Sequence, residues 1–270
     1  MTPSATYRVM QYNVTHQKQG WTTMTELFEI PFAERGNNVA NVIRSVAPDI
    51  VCLSERHNEW AGILDEGAMD GAIRLSDLLD GSCSAVADDY MACGDQTVAN
   101  RVPIFYNPAT LRCVESGILK LTEEYPFERS ENKRTVSWAI LEDISNTQRR
   151  GTRMAVFNTH WSIKEYKGIS YAEIRATQSR EMQALINDPK FQGLPRVVCG
   201  DFNALYNEEI YQELLNNCGL THADMHINGR ITWNSVDHIA VTGAEICSYT
   251  ARRGTVLASD HPPIYADIVI

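Results

Sequence analysis

The feature that most constrains this sequence is a set of apolar runs that each stop on a polar residue. Val197-Val198-Cys199 leads into Gly200-Asp201-Phe202-Asn203, and Arg8-Val9-Met10-Gln11-Tyr12 leads into Asn13. Ile50-Val51-Cys52-Leu53-Ser54 ends at Glu55, and Met154-Ala155-Val156-Phe157-Asn158-Thr159 ends at His160. Continuous apolar runs of strand length mark strands that are covered on both faces. Such strands carry their last residues to the edge of a sheet, where loops assemble a site. Taken singly, each ending reads as an Asx turn or a capped strand. Their recurrence, with Ser235-Val236-Asp237-His238 and Ser259-Asp260-His261-Pro262 near the C-terminus, points to a site instead. Gly200 permits a turn or a close backbone approach that a side chain would obstruct.

The rest of the chain places these strands. Val39, Val42, Ile43 and Val46 recur at helical spacing, so a helix is expected from Glu34 to Ala47, stopped by Pro48. The segment 15–32, with Trp21, Phe28 and Phe32, reads as a long loop on the same edge as Asn13. Residues 60–81 read as an amphipathic helix. Residues 82–143 carry short β-rich runs between turn signals such as Asn107-Pro108, which predicts hairpins. Beyond His160, the apolar residues Tyr171, Ile174, Met182 and Leu185 predict a long helix ending at Asp188-Pro189. A further helix is expected over about 207–217, and strands near 231–242, 244–252 and 264–270. No repeat or linker interrupts the pattern, which predicts one domain over 1–270. This order predicts two packed sheets with helices outside. The β-rich middle and end weigh against a mostly parallel doubly wound sheet.

Composition bounds the partners. The 270 residues are 44% apolar, enough for a sizeable core, and no stretch approaches a membrane span. A net charge of −10 weighs against sequence-independent binding to a phosphate backbone. It leaves room for an anionic substrate, because a bound divalent cation reverses the local field. The N-terminus shows no signal-peptide pattern, and the seven cysteines have no regular spacing, so a reduced, cytoplasmic setting is expected.

The polar endings suit one kind of chemistry. Glu55 and Asp260, supported by Asn13, are hard oxygen donors that suit magnesium, with manganese as a substitute. Zinc is disfavoured, since no closely spaced histidine and cysteine cluster is seen. A carboxylate such as Asp201 can hold and deprotonate an attacking water. Asn203, His160 and His261 can donate hydrogen bonds to nonbridging phosphoryl oxygens, and Asp237 can orient His261.

These motifs, in this order, resemble those of the endonuclease/exonuclease/phosphatase superfamily. The resemblance runs from Gln11-Tyr12-Asn13 through Pro48 to Glu55, Asn158-Thr159-His160 and Gly200-Asp201-Phe202-Asn203 to Val236-Asp237-His238 and Ser259-Asp260-His261. It implies a four-layered αββα sandwich and metal-dependent hydrolysis of a phosphate ester. By resemblance, Glu55 is the principal metal ligand, with Asn13 and Asp260 beside the metal. Asp201 activates the water, Asn203 binds phosphate, and His160 and His261 stabilise the pentacovalent phosphorus, with Asp237 paired to His261. Two departures separate the chain from the abasic-site nucleases of the family. Thr15 stands where they carry Asp, and Trp233-Asn234-Ser235-Val236-Asp237-His238 replaces a Trp-Arg-x-Asp-Tyr-type run.

Three functions follow from this reading. The first is a magnesium-dependent phosphoesterase acting on a small or lipid-derived phosphate ester. The second is a nuclease or deadenylase on single-stranded nucleic acid, which a basic groove lined by Lys133, Arg134 or Lys164 would favour; solvated surface charge is the alternative for Lys133 and Arg134. The third is a non-catalytic binding protein of the same fold, which would be expected to have lost some of these positions. Here each is filled.

Overall fold

The computed structural model describes residues 6–14, 32–55, 91–93, 102–121, 134–145, 147, 149–163, 165–166, 169–170, 172–252 and 258–270. The expected loop over 15–32, apart from its last residue, and the expected helix over 60–81 lie outside them, as do Lys133 and Lys164.

In chain order the elements are β1 (Thr6–Asn13), α1 (Phe32–Val46), β2 (Ile50–Ser54), β3 (Met91–Cys93), β4 (Ile104–Tyr106), β5 (Leu111–Lys120), β6 (Thr135–Asp143) and β7 (Arg153–His160). A short pair, β8 (Glu165–Tyr166) and β9 (Ile169–Ser170), precedes α2 (Ala172–Ile186). Then come β10 (Arg196–Asp201), α3 (Glu209–Cys218), β11 (Thr221–His222), α4 (Ala223–Asn228), β12 (Asp237–Thr242), β13 (Glu245–Ala251) and β14 (Ile264–Val269). One six-stranded sheet has the order β13-β14-β1-β2-β4-β3, and the other β11-β12-β10-β7-β6-β5. Each is antiparallel apart from a parallel pair at its centre, β1 with β2 and β7 with β10. These are the four apolar runs of the sequence.

Burial on both faces explains why these runs lack polar alternation. Val9, Ile50 and Cys52 of the first sheet pack against Val156, Val197, Cys199 and Ile239 of the second. The opposite faces take helices. Met10, Tyr12, Val51 and Leu53 cover Val39, Val42, Ile43 and Val46 of α1. Phe157 and Val198 cover Met182 and Ile186 of α2 and Tyr211 and Leu214 of α3. The result is the αββα sandwich of two packed mixed sheets expected from the sequence. Each such side chain, fully buried, contributes roughly 1.5–3 kcal/mol. Among the described residues, no helix is long and apolar enough to cross a membrane.

One expectation is corrected. Residues 231–236 are not strand: α4 and a turn stand before β12. Asp224 holds that turn, accepting from Asn228 Nδ2 at 2.8 Å and from the Thr232 amide at 2.7 Å. The expected long helix is present as α2, and the face it buries is partly polar. Its buried residues are Arg175, Gln178, Ser179, Met182 and Ile186, while Ile174 and Leu185 are half-buried. The polar residues at the start of that face have loop partners, described below.

Candidate active site

Strand periodicity builds the site. Successive residues of a strand alternate between faces. On β1, Tyr7 and Val9 face the gap between the sheets, so Gln11 and Asn13 continue that row. On β7 the row is Met154, Val156, Asn158 and His160, and on β10 it is Val197, Cys199 and Asp201. Asp237 begins the corresponding row of β12, whose antiparallel course brings its start opposite the end of β10: Asp201 pairs with Asp237 and, on the other side, with His160. Each row is apolar in the middle of the sandwich and polar at one shared edge.

Across that edge the sheets meet through side chains. Asn13 Nδ2 donates to Asp201 Oδ2 at 2.8 Å and to Glu55 Oε1 at 3.2 Å, so its amide bridges the two carboxylates. Glu55 follows β2 directly and sits at φ 58°, a left-handed conformation that a non-glycine residue adopts at a cost. His160 Nε2 lies 3.5 Å from Asp201 Oδ2 and 3.8 Å from Glu55 Oε1. His261 Nδ1 is 2.6 Å from Asp237 Oδ2, a charge-assisted pair. Ser235 Oγ donates to the same oxygen at 3.2 Å, and Gln11 Nε2 approaches Asp237 Oδ1 at 3.4 Å. Ser259 ties the segment before His261 to β1, its hydroxyl donating to the Asn13 carbonyl at 2.6 Å.

Gly200 has a steric reason. A Cβ there would stand 2.5 Å from the Thr159 carbonyl oxygen, so only glycine lets β10 lie this close to β7. Asn203 sits at φ 46°; its amide donates to Asp201 Oδ1 at 2.9 Å and its side-chain Nδ2 to the Trp161 carbonyl at 2.8 Å. This is the Asx turn that the motif alone suggested, and it also fixes the Asp201 carboxylate.

Burial and like charge set the protonation of the centre. Burial first, and then the charge of Asp237, push the Asp201 carboxyl up to about 7, against the opposing pull of His261, the Asn203 amide and Asn13. Burial opposes the charge on His261, but Asp237 through charge and hydrogen bond, with Asp201 and Asp260, raises it well above the usual imidazole range. The imidazole is therefore cationic at neutral pH.

Among the described residues, two groups of side chains bring ligand atoms within 4.8 Å of one another: Glu55, His160 and Asp201, and Asp201, Asp237 and His261. Neither contains a thiol. Asp260 belongs to neither group, although it adjoins His261 in the chain. The structure thus brings together Asn13, Glu55, His160, Asp201, Asn203, Asp237 and His261. The sequence reading missed Gln11, Ser54, Arg175 and Gln178, which are buried polar side chains. Gln11 and Ser54 stand out as polar residues within apolar strand runs, whereas Arg175 and Gln178 lie in a helix that is polar over most of its length.

The family model described as Endonuclease/Exonuclease/phosphatase family matches residues 10–261, nearly the whole chain. The chain belongs to the endonuclease/exonuclease/phosphatase family. Members of this family are phosphoester hydrolases. Its fold recurs in an endonuclease/exonuclease/phosphatase family protein from Bacteroides thetaiotaomicron, 16% identical at TM-score 0.71, over 99% of this chain and 98% of that one. The human Nocturnin catalytic domain with bound sulfate is 18% identical at TM-score 0.70, over 99% of this chain and 95% of that one. A mannosyl-6-phosphatase from Bacteroides thetaiotaomicron is 17% identical at TM-score 0.70, over 98% of this chain and 100% of that one. No curated protein matches in sequence.

Proposed function

We propose that the protein, as a single domain over 1–270, is a magnesium-dependent hydrolase of small or lipid-derived phosphate esters. The observation that carries this reading is the convergence of Glu55, His160, Asp201, Asp237 and His261 within two overlapping clusters at one edge of the sandwich. The donor set fits a hard divalent cation. It is rich in carboxylate oxygen, free of thiol, and holds an Asp201 carboxyl raised by burial and then by the charge of Asp237, a cost that a cation would offset. Glu55 is the anchoring ligand, with Asn13 and Asp260 beside it, and manganese is the expected substitute. When bound, the ion supplies Lewis acidity and offsets charge on the phosphoryl oxygens.

The chain's own groups do the rest. Asp201 takes the proton of the attacking water on a carboxylate oxygen, its orientation fixed by the Asn203 amide on Oδ1 and Asn13 on Oδ2. His261 keeps Nδ1 on Asp237, which leaves Nε2–H as the donor to a nonbridging oxygen. His160 and the Asn203 side-chain amide, through the hydrogen not given to the Trp161 carbonyl, donate to the same phosphoryl group.

Turnover of bis-p-nitrophenyl phosphate or p-nitrophenyl phosphate with magnesium, abolished by chelator, is the expected result. A broad panel of phosphate esters left intact with both magnesium and manganese would sink the proposal. A second reading, cleavage of single-stranded nucleic acid, is disfavoured by the net charge of −10. Labelled DNA and RNA oligonucleotides incubated with metal decide between the two.

A further inference from the structure

Helix α2 carries an arginine that is 2% exposed, and its charge is spent on a loop carbonyl. Arg175 Nη1 donates to the main-chain oxygen of Asn203, and Nη2 lies 3.4 Å from Glu208 Oε2. Glu208 Oε1 in turn accepts the Leu205 amide at 3.0 Å. One turn along the same face, Gln178 accepts the Ser162 amide at 3.0 Å and donates to its hydroxyl at 2.9 Å. From the other side, His238 Nε2 holds the Ala204 carbonyl at 2.8 Å. The two consecutive carbonyls that follow Asp201-Phe202 are therefore each gripped by a buried side chain. The first of them belongs to Asn203, which sits at φ 46°. A non-glycine residue stays in that conformation only where its surroundings over-determine it.

We propose that Arg175 is a positioning residue for phosphoester hydrolysis, holding the Asn203 turn so that the Asn203 amides keep their aim. The proposal rests on the reading that Asp201 and Asn203 serve the reaction. An apolar residue in this helical row would bury equally well, so packing alone does not call for a guanidinium. The fork geometry does: one arm reaches a carbonyl of the turn while the other reaches the carboxylate that caps the next turn. If the grip fails, Asn203 is free to leave the left-handed region. Its amide then lets go of Asp201 Oδ1, and its side chain lets go of the Trp161 carbonyl beside His160.

The test is a double-mutant cycle of Arg175→Met with Asn203→Ala, assayed on bis-p-nitrophenyl phosphate and accompanied by thermal unfolding and magnesium titration calorimetry. Arg175→Met alone is expected to lower kcat tenfold to a hundredfold, with KM and magnesium affinity changed less than threefold. In the Asn203→Ala background the same substitution should cost clearly less than it does in the parent, because the side-chain amide it positions is already gone while the backbone amide remains. Arg175→Lys, which keeps one donor but loses the fork, should recover part of kcat; should Arg175→Met fail to fold, it takes that variant's place in the cycle. Full multiplication of the two losses would overturn the proposal, since a merely structural role acts equally in both backgrounds. A rise in KM with kcat preserved would overturn it as well. Wild-type turnover with an undamaged Asn203→Ala enzyme would instead count against the site reading, a separate failure.

Discussion

Asp201 is held at every atom that could move it: strand β10 fixes its backbone, the Asn203 amide takes one oxygen, and Asn13 takes the other. Replacing it with Asn keeps the shape and removes the proton acceptor. Turnover of the phosphate ester should drop by roughly two to four orders of magnitude, the usual span for a general base. A carboxyl whose folded pKa is raised to about 7 destabilises the metal-free protein progressively as pH rises from its ordinary value near 4 through 7. Metal-free Asp201→Asn should therefore melt no lower than the parent at pH 8. A folded variant with near-normal turnover would reduce this strand end to an ordinary turn. For Glu55 the proposed role is charge toward a cation. Glu55→Gln should weaken magnesium binding and turnover together, with partial recovery at high magnesium. Unchanged affinity in calorimetry would remove Glu55 from the metal shell.

At the scale of elements, β12 and the β11–α4 junction are joined by a relay of two buried imidazoles. The Met225 amide donates to His222 Nδ1 at 3.4 Å, which fixes the tautomer; His222 Nε2 then donates to His238 Nδ1 at 3.0 Å, and His238 Nε2 to the Ala204 carbonyl. Tyr211 of α3 stacks on His238 at 4.2 Å between ring centroids. The relay needs both rings neutral. Burial pushes His222 down to about 4, and burial together with His222 pushes His238 down to about 3. Unfolded histidine titrates near 6.5, so the unfolded chain takes up protons that the native relay refuses. The stability is fully present above pH 6.5 and is lost as pH falls toward 4 and then 3. By pH 5 the loss is about 2 kcal/mol for each imidazole. Urea unfolding of the parent and of His238→Gln at pH 7.5 and 5.0 measures this, with the variant showing the shallower acid slope. Parallel slopes would mean that the relay is not the source.

For the whole molecule, the important fact is that the site belongs to both sheets. Asn13 and Glu55 come from one, and His160, Asp201 and Asp237 from the other. Other ties cross the same gap: Asn158 Nδ2 donates to the Leu53 carbonyl at 2.7 Å, and Tyr7 donates its hydroxyl to Asp143 at 2.5 Å. A cation that binds this junction binds only the folded sandwich. Magnesium at about a hundred times its dissociation constant should then add about 2.7 kcal/mol to the unfolding free energy. In a chain of this size that raises the melting temperature by several degrees. Chelator should reverse the shift, and Glu55→Gln should blunt it. An unfolding curve indifferent to magnesium, in protein that turns over substrate, would place the cation outside this junction.

The sequence by itself determined the layers and most of the edge residues, because strand burial on both faces writes itself as unbroken apolar runs. The polar stops of those runs marked Asn13, Glu55, His160 and Asp201 before any contact was known. What only the tertiary structure decided was which groups meet. Asn13 bridging two carboxylates depends on the parallel register of β1 and β2 and on the separation of the sheets. The polar part of the buried face of α2 was hidden for the same reason. Arg175 and Gln178 look solvent-facing by composition, yet they are buried because loop carbonyls and amides fifteen or more residues away supply their partners. Apolar periodicity reports which side chains leave water, whereas the partners of a buried polar group are fixed by long-range geometry, which local pattern does not contain.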